Sequence, residues 1–237
     1  MKWILTVALF ITCFPIASSN AIAQSESRDV ILKKIETKRA ELGALETKFL
    51  APSEEDVATY GEFLQQADTG LARLLPRETY DNKNLTTRGG GAYYSFTRRT
   101  HEYGLGTQIG LEQDSFGITF AGADYGMLAR VGDVPLNAIS LEHPVARFLD
   151  SYEPAVEEPR ARTEYVRFAN GVKIEDTLYK THQPAIVNST YVLRGIHYSD
   201  SDVLVAFRVV RKDMDDSVII LWKLLKKYPK PVLARND

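Results

Sequence analysis

From Val203 to Arg211 the chain is apolar on both sides of an extended backbone. Side chains alternate along a strand, so Val203, Val205, Phe207 and Val209 share one face, while Leu204, Ala206 and Val210 point the other way. Such a strand has to be covered on both sides, which places it centrally in a sheet between two layers. Val218-Ile-Ile-Leu-Trp222 has the same character, and Trp222 is expected to be fully buried. Asp213-Met-Asp-Asp-Ser217 lies between the two runs and supplies a polar turn. The segment from Trp222 to Tyr228 continues as a strand, although its leucines and lysines also suit a helix.

Asn170-Gly171 tolerates positive φ and signals a hairpin between Glu164–Ala169 and Val172–Lys180. Together with Ile186–His197 these runs predict an antiparallel meander of about five strands across 163–237. Upstream, ten of the 15 glycines fall between Thr86 and Asp133. They punctuate Ala92–Arg99, Gln108–Gln113, Ser115–Ala121 and Met127–Val131, so 81–150 reads as a glycine-rich β region, with a short helix at Pro144–Leu149. Residues 151–162 are acidic and hold Pro154 and Pro159, which predicts an exposed connection.

The N-terminal part has helical periodicity. Ile31, Ile35, Leu42, Leu45 and Phe49 form one stripe on a charged rod over Ser25–Leu50, suited to the body or to a second copy. Ser53 caps a second helix with acids in its first turn, and Val57, Tyr60, Phe63 and Leu64 form its apolar face. Leu71, Leu74 and Leu75 make a third apolar piece before Pro76, so 24–80 reads as a helical segment packing on the body. The fold class is α+β: N-terminal helices, a glycine-punctuated antiparallel β region and the C-terminal meander.

Residues 1–23 have the form of a secretory signal peptide. Lys2 precedes an apolar run of 13 residues from Ile4 to Ile16, and Ala21-Ile22-Ala23 gives a cleavage site. The run is shorter than the ~20 residues a spanning helix needs. The chain is expected to be soluble, exported to periplasm or medium and free of transmembrane segments. Its only cysteine, Cys13, lies inside that peptide, so stability rests on packing rather than disulfides. The net charge is -2, and it becomes about -3 when Lys2 is removed, which does not suit nucleic-acid binding.

Catalytic signatures such as G-x-S-x-G, S-x-x-K, H-E-x-x-H and C-x-x-C do not occur in the sequence. The triplet Gly89-Gly90-Gly91 lacks the Gly-Lys-Ser/Thr of a P-loop, and Asp213-Met-Asp215 lacks the glycine and glutamate of a calcium loop. The four histidines, His101, His143, His182 and His197, read as surface or hydrogen-bonded structural residues, with no metal or cofactor expected. Asn188-Ser189-Thr190 is a glycosylation sequon within the Ile186–His197 strand.

The candidate site is Arg88-Gly-Gly-Gly-Ala-Tyr-Tyr-Ser-Phe-Thr-Arg-Arg-Thr-His-Glu-Tyr-Gly104. As a strand, Ala92–Arg99 sends Tyr94 and Phe96 to the core and Tyr93, Ser95, Thr97 and Arg99 to solvent. Arg88, Tyr93, Arg99, His101, Glu102 and Tyr103 then line a groove where aromatic faces and arginine forks meet a ligand. The function this supports is a secreted, non-enzymatic binding or structural module for a small molecule, saccharide or protein. The alternative is a small hydrolase-like enzyme with His101 as general base, oriented by Glu102 or Asp124.

Overall fold

The computed structural model describes residues 27–79, 89–104, 106–118 and 123–234. The signal-peptide expectation and Arg88 lie outside these residues. The chain divides into two units, 1–42 and 43–237. In the described part of the first, helix α1, Arg28–Leu50, begins just after Ser27. Along α1 the apolar stripe is open to solvent: Ile31, Ile35, Leu42, Leu45 and Phe49 are 40–66% exposed. At its end, within the second unit, Leu50 is buried.

The second unit is mixed α+β, with two antiparallel sheets. Short helices α2 (Glu54–Thr59) and α3 (Gly61–Leu64) come first, followed by β1 (Thr69–Leu74). The glycine-rich part contributes β2 (Tyr93–Ser95), β3 (Thr100–His101), β4 (Ile109–Glu112), β5 (Ser115–Gly117) and β6 (Tyr125–Gly132). A 3-10 turn at Leu136–Ala138 leads to α4 (Pro144–Ser151) and α5 (Glu158–Asn170). The remaining strands are β7 (Val172–Ile174), β8 (Thr177–Lys180), β9 (His182–Pro184), β10 (Thr190–His197), β11 (Ser201–Lys212) and β12 (Val218–Lys227). The larger sheet has the order β1-β12-β11-β10-β6-β8-β7, and the smaller β3-β2-β4-β5-β9.

The two faces of β11 are covered by different material. Val203, Val205, Phe207 and Val209 join Trp222, Phe96, Phe116 and Tyr191 in one core, shared with residues of the smaller sheet. Leu204 and Ala206 join Leu221, Val192, Leu149 and Phe168 in a second core beneath α4 and α5. In the first core Tyr191 stacks on Phe207 at 5.0 Å, and Phe116 meets Phe207 edge-on at 5.0 Å. Trp222 is 1% exposed and lies opposite Gly70 of β1. A Cβ at Gly70 would overlap the indole, so only glycine lets the strands approach here.

Several expectations are corrected. Glu164–Ala169 is helical, as part of α5. Pro159 sits in that helix's first turn, where a missing N–H is harmless, and Gly171 is its C-cap with φ 94°. The Asn170-Gly171 signal therefore ends a helix instead of turning a hairpin. The hairpin lies farther on, between β7 and β8, with Glu175 at φ 51°. Leu71 and Leu74 belong to a strand, because β1 pairs along the edge of β12. In the C-terminal part hairpins join β7 to β8 and then β10, β11 and β12 in succession, and the expected meander is interrupted because β9 crosses to the smaller sheet. Asn188 lies before β10, exposed and at φ 62°, so the sequon starts in a turn.

Asp56 fastens α2 to β11. Its backbone N–H bonds to the Ser53 hydroxyl, and its carboxylate accepts from the Ser53 N–H at 3.2 Å and from Arg211 Nη2 at 2.9 Å. Burial alone would raise the Asp56 pKa, but the hydrogen bonds from Arg211 and Ser53 outweigh it and hold the carboxyl below its usual range. A lowered folded-state pKa gives stability that is complete above the unfolded value of about 4 and is lost as pH falls through the folded value.

Two outcomes follow from this packing. Trp222→Ala will destabilise the protein by about 3–5 kcal/mol in urea unfolding, and a near-neutral result would contradict its burial. The urea midpoint will also drop on acidification below about pH 4, and Asp56→Asn will make that drop shallower. An unchanged slope in the variant would remove Asp56 from the acid response.

Candidate ligand-binding cleft

The 88–104 segment is packed more deeply than an open groove. Gly89, Gly90 and Gly91 all have positive φ, at 61°, 59° and 86°. Cβ atoms on Gly89 and Gly91 would overlap the Tyr93 ring and Leu50. The triplet is thus a tight entry that only glycine can make. Because β2 ends at Ser95, the alternation expected to Arg99 stops early, and Tyr93 and Ser95 are buried instead of facing solvent. Tyr93 donates to Glu112 Oε1 at 3.3 Å, and burial followed by the Glu112 charge pushes its pKa up to about 12. Tyr94 is also buried, whereas Tyr103 is 68% exposed and its ring lies 5.1 Å from that of Tyr93.

The polar candidates are engaged by separate neighbours. His101 Nε2 donates to the Arg73 carbonyl at 2.6 Å. Glu102 accepts from Arg98, whose other nitrogen reaches Asp200 Oδ1 at 2.8 Å. Arg99 donates to Asp68 at 3.2 Å and lies over the Trp222 ring at 5.8 Å. Asp124 accepts from the Tyr198 backbone N–H at 2.9 Å and lies 3.4 Å from His197 Nδ1. Tyr93 and Tyr103 are brought together, while His101, Glu102 and Asp124 each bind a different partner. Among the described residues no three His, Cys, Asp or Glu side chains are placed to share a metal ion.

A charged cluster that the sequence did not signal lies at the end of β10–β12. Arg194, 2% exposed, donates from Nε and Nη2 to Asp202 at 2.9 and 2.8 Å. Its Nη1 bonds the carbonyls of Leu149 and Tyr152, both at 2.6 Å, and Tyr228 lies 3.8 Å from its guanidinium. Lys226 and Tyr228 both donate to Asp150 Oδ1 at 2.5 Å. The Lys226 bond and then the Tyr228 bond hold the Asp150 carboxyl below its usual range. A cleft of about 440 Å³ opens beside this cluster, but its central charges are already neutralised. The cluster therefore serves as a clasp between α4 and the sheet.

A second cleft, of about 460 Å³, lies between α3 with the flanking Tyr60 and Gln66, the 135–137 turn and the helix-side face of β11–β12. Tyr60 and Phe63 supply rings, Gln66, Asn137 and Asn188 supply amides, and Val210 and Leu221 supply an apolar floor. Arg208 also lines it, held by Asp133 at 2.7 Å and the Val134 carbonyl at 3.1 Å. The exposed Glu62 is the acid of the lining.

Lys223 stands beside this cleft, two residues beyond Leu221 on β12. Alternation puts it on the helix-side face, opposite Ala206 and Thr69. The side chain is partly buried, and its ammonium reaches only the Asn137 carbonyl, at 3.5 Å. Among the described residues it has no carboxylate partner, and desolvation holds its pKa below the ordinary lysine value. The sequence does contain a signal here, because Lys223 interrupts the apolar series Leu221, Leu225.

Comparison with protein-family models, curated proteins and solved structures gives no match.

The two clusters predict different mutational behaviour. Asp202→Ala will cost about 3–5 kcal/mol, because it strands the buried Arg194 charge. Lys223→Met will leave stability unchanged or raised, because it removes a desolvated charge without orphaning an acid. Urea unfolding of both variants checks the contrast, and a large loss on Lys223→Met would make Lys223 part of the scaffold.

Proposed function

We propose that the chain is an exported, non-enzymatic binding module whose ligand surface is the cleft between α3 and β11–β12. One observation carries the reading: a concave space lined by rings and amides adjoins a cation that lacks a counter-charge. Concave sites of a few hundred Å³ with a small number of placed polar groups are the usual form of small-ligand sites. Amides and ring faces select by shape and hydrogen-bond pattern and do not exchange protons at neutral pH, which favours binding over catalysis. The export part rests on residues 1–23 of the sequence.

The proposal moves the ligand surface away from 88–103. There Tyr93, Arg99, His101 and Glu102 already have protein partners, so a ligand would have to replace existing contacts. In the cleft the lining residues Gln66, Asn137 and Asn188 carry amides that no side-chain hydrogen bond engages among the described residues.

Titrating the ¹⁵N-labelled protein with saccharides, carboxylates and nucleotides tests this reading. The expected outcome is a hit that shifts the side-chain amide signals of Gln66, Asn137 and Asn188 and weakens about tenfold or more in Phe63→Ala. A hit that instead shifts Tyr103, Arg99 and His101 and ignores Phe63→Ala would return the site to the 88–103 segment.

A further inference from the structure

We infer that the ligand of this cleft is a small saccharide acid whose carboxylate is taken by Lys223. The inference rests on the cleft being the binding surface and adds the chemical class of its occupant.

The charge balance identifies the anion. Arg208 is already satisfied by Asp133, the Val134 carbonyl and the Thr190 hydroxyl, at 2.7, 3.1 and 3.3 Å. Lys223 has only the distant Asn137 carbonyl. No carboxylate of the protein, Glu62 of the lining included, lies within ion-pair distance of the Lys223 ammonium among the described residues, and a ligand carboxylate placed there repairs the cost of its partial desolvation. A phosphate dianion suits the place less well. Lys223 supplies a single positive charge, and Glu62 of the lining repels a second negative one.

The neutral lining identifies the rest of the ligand. Tyr60 and Phe63 are the rings of the lining, and an aromatic ring can pack on the C–H side of a pyranose. Gln66, Asn137 and Asn188 each carry both a donor and an acceptor, which matches the double character of a sugar hydroxyl. Apolar carboxylates would leave these amides unpaired on desolvation, so hydroxyls favour the saccharide acid.

The test uses hexuronates and their amides, which differ in charge and hardly in shape. Glucuronate, galacturonate and mannuronate are titrated calorimetrically into the protein alongside glucuronamide, galacturonamide and mannuronamide. At neutral pH and low salt, at least one acid will bind about tenfold or more tightly than its amide, the scale of a hydrogen bond to a charged group. Lys223→Met will abolish that preference and leave the amide's affinity within about twofold, while Lys223→Arg will restore it in part. Equal binding of acid and amide, or a preference that survives Lys223→Met, overturns the saccharide-acid inference and leaves the cleft standing. If no member of either series binds, the saccharide-acid inference falls, and the amide shifts of Gln66, Asn137 and Asn188 in the wider titration decide the cleft separately. Circular dichroism confirms that Lys223→Met is folded, and Lys223→Gln gives a second neutral variant.

Discussion

A strand with no solvated face can exist only where two separate layers meet it, and β11 places that demand on the whole second unit. Its odd-numbered residues require the smaller sheet, and its even-numbered ones require helices. Antiparallel neighbours on both sides satisfy its backbone, with β12 on one edge and β10 on the other. Helix α2 is tied to the same strand through Asp56 and Arg211. The layers follow from covering one apolar ribbon on both faces.

The weak point of such a plan is the end of the central strands, where charged groups sit next to the cores. Arg194 and Asp202 address this by forming a bidentate pair across β10 and β11. Two carbonyls at the end of α4 complete the arginine's hydrogen bonding, so the same guanidinium fixes the helix to the sheet. A buried pair of this kind contributes little net stability, yet losing either partner leaves a charge stranded. Its effect is on geometry, because it sets where α4 can sit and so how the second core closes.

The parts of this plan legible in the sequence were those with local causes. The alternation at 203–211 and 218–222 and the Asp-rich turn between them gave β11, β12 and their hairpin. The Ser53 cap gave α2. Failures came where two local signals coincide with different meanings. Asn170-Gly171 permits positive φ at a hairpin or at a helix end, and it is Pro159 with the Glu158–Arg162 and Glu164–Arg167 pairings upstream that argues for the helix. The spacing of Leu71 and Leu74 fits a helix, but the free edge of β12 makes them a strand. The aromatics and charges at 88–104 were conspicuous in sequence, and most of their prominence comes from internal packing. Lys223 was inconspicuous, because the strand–helix ambiguity at 222–228 hid which face it occupies.

That contrast separates the two charged regions. In the Arg194 cluster each central charge is met, as expected where a fold needs the charge. Lys223 is partly desolvated and unmet, although an apolar residue there would continue the Leu221 and Leu225 face with no charge to compensate. The nearest alternative use, snorkelling to bulk water along an apolar stem, would carry the ammonium clear of the protein. The ammonium instead reaches the Asn137 carbonyl at 3.5 Å from a partly buried side chain. A folded chain keeps such a group most readily where the missing partner arrives from outside, and the neighbouring cleft is the space from which it would come.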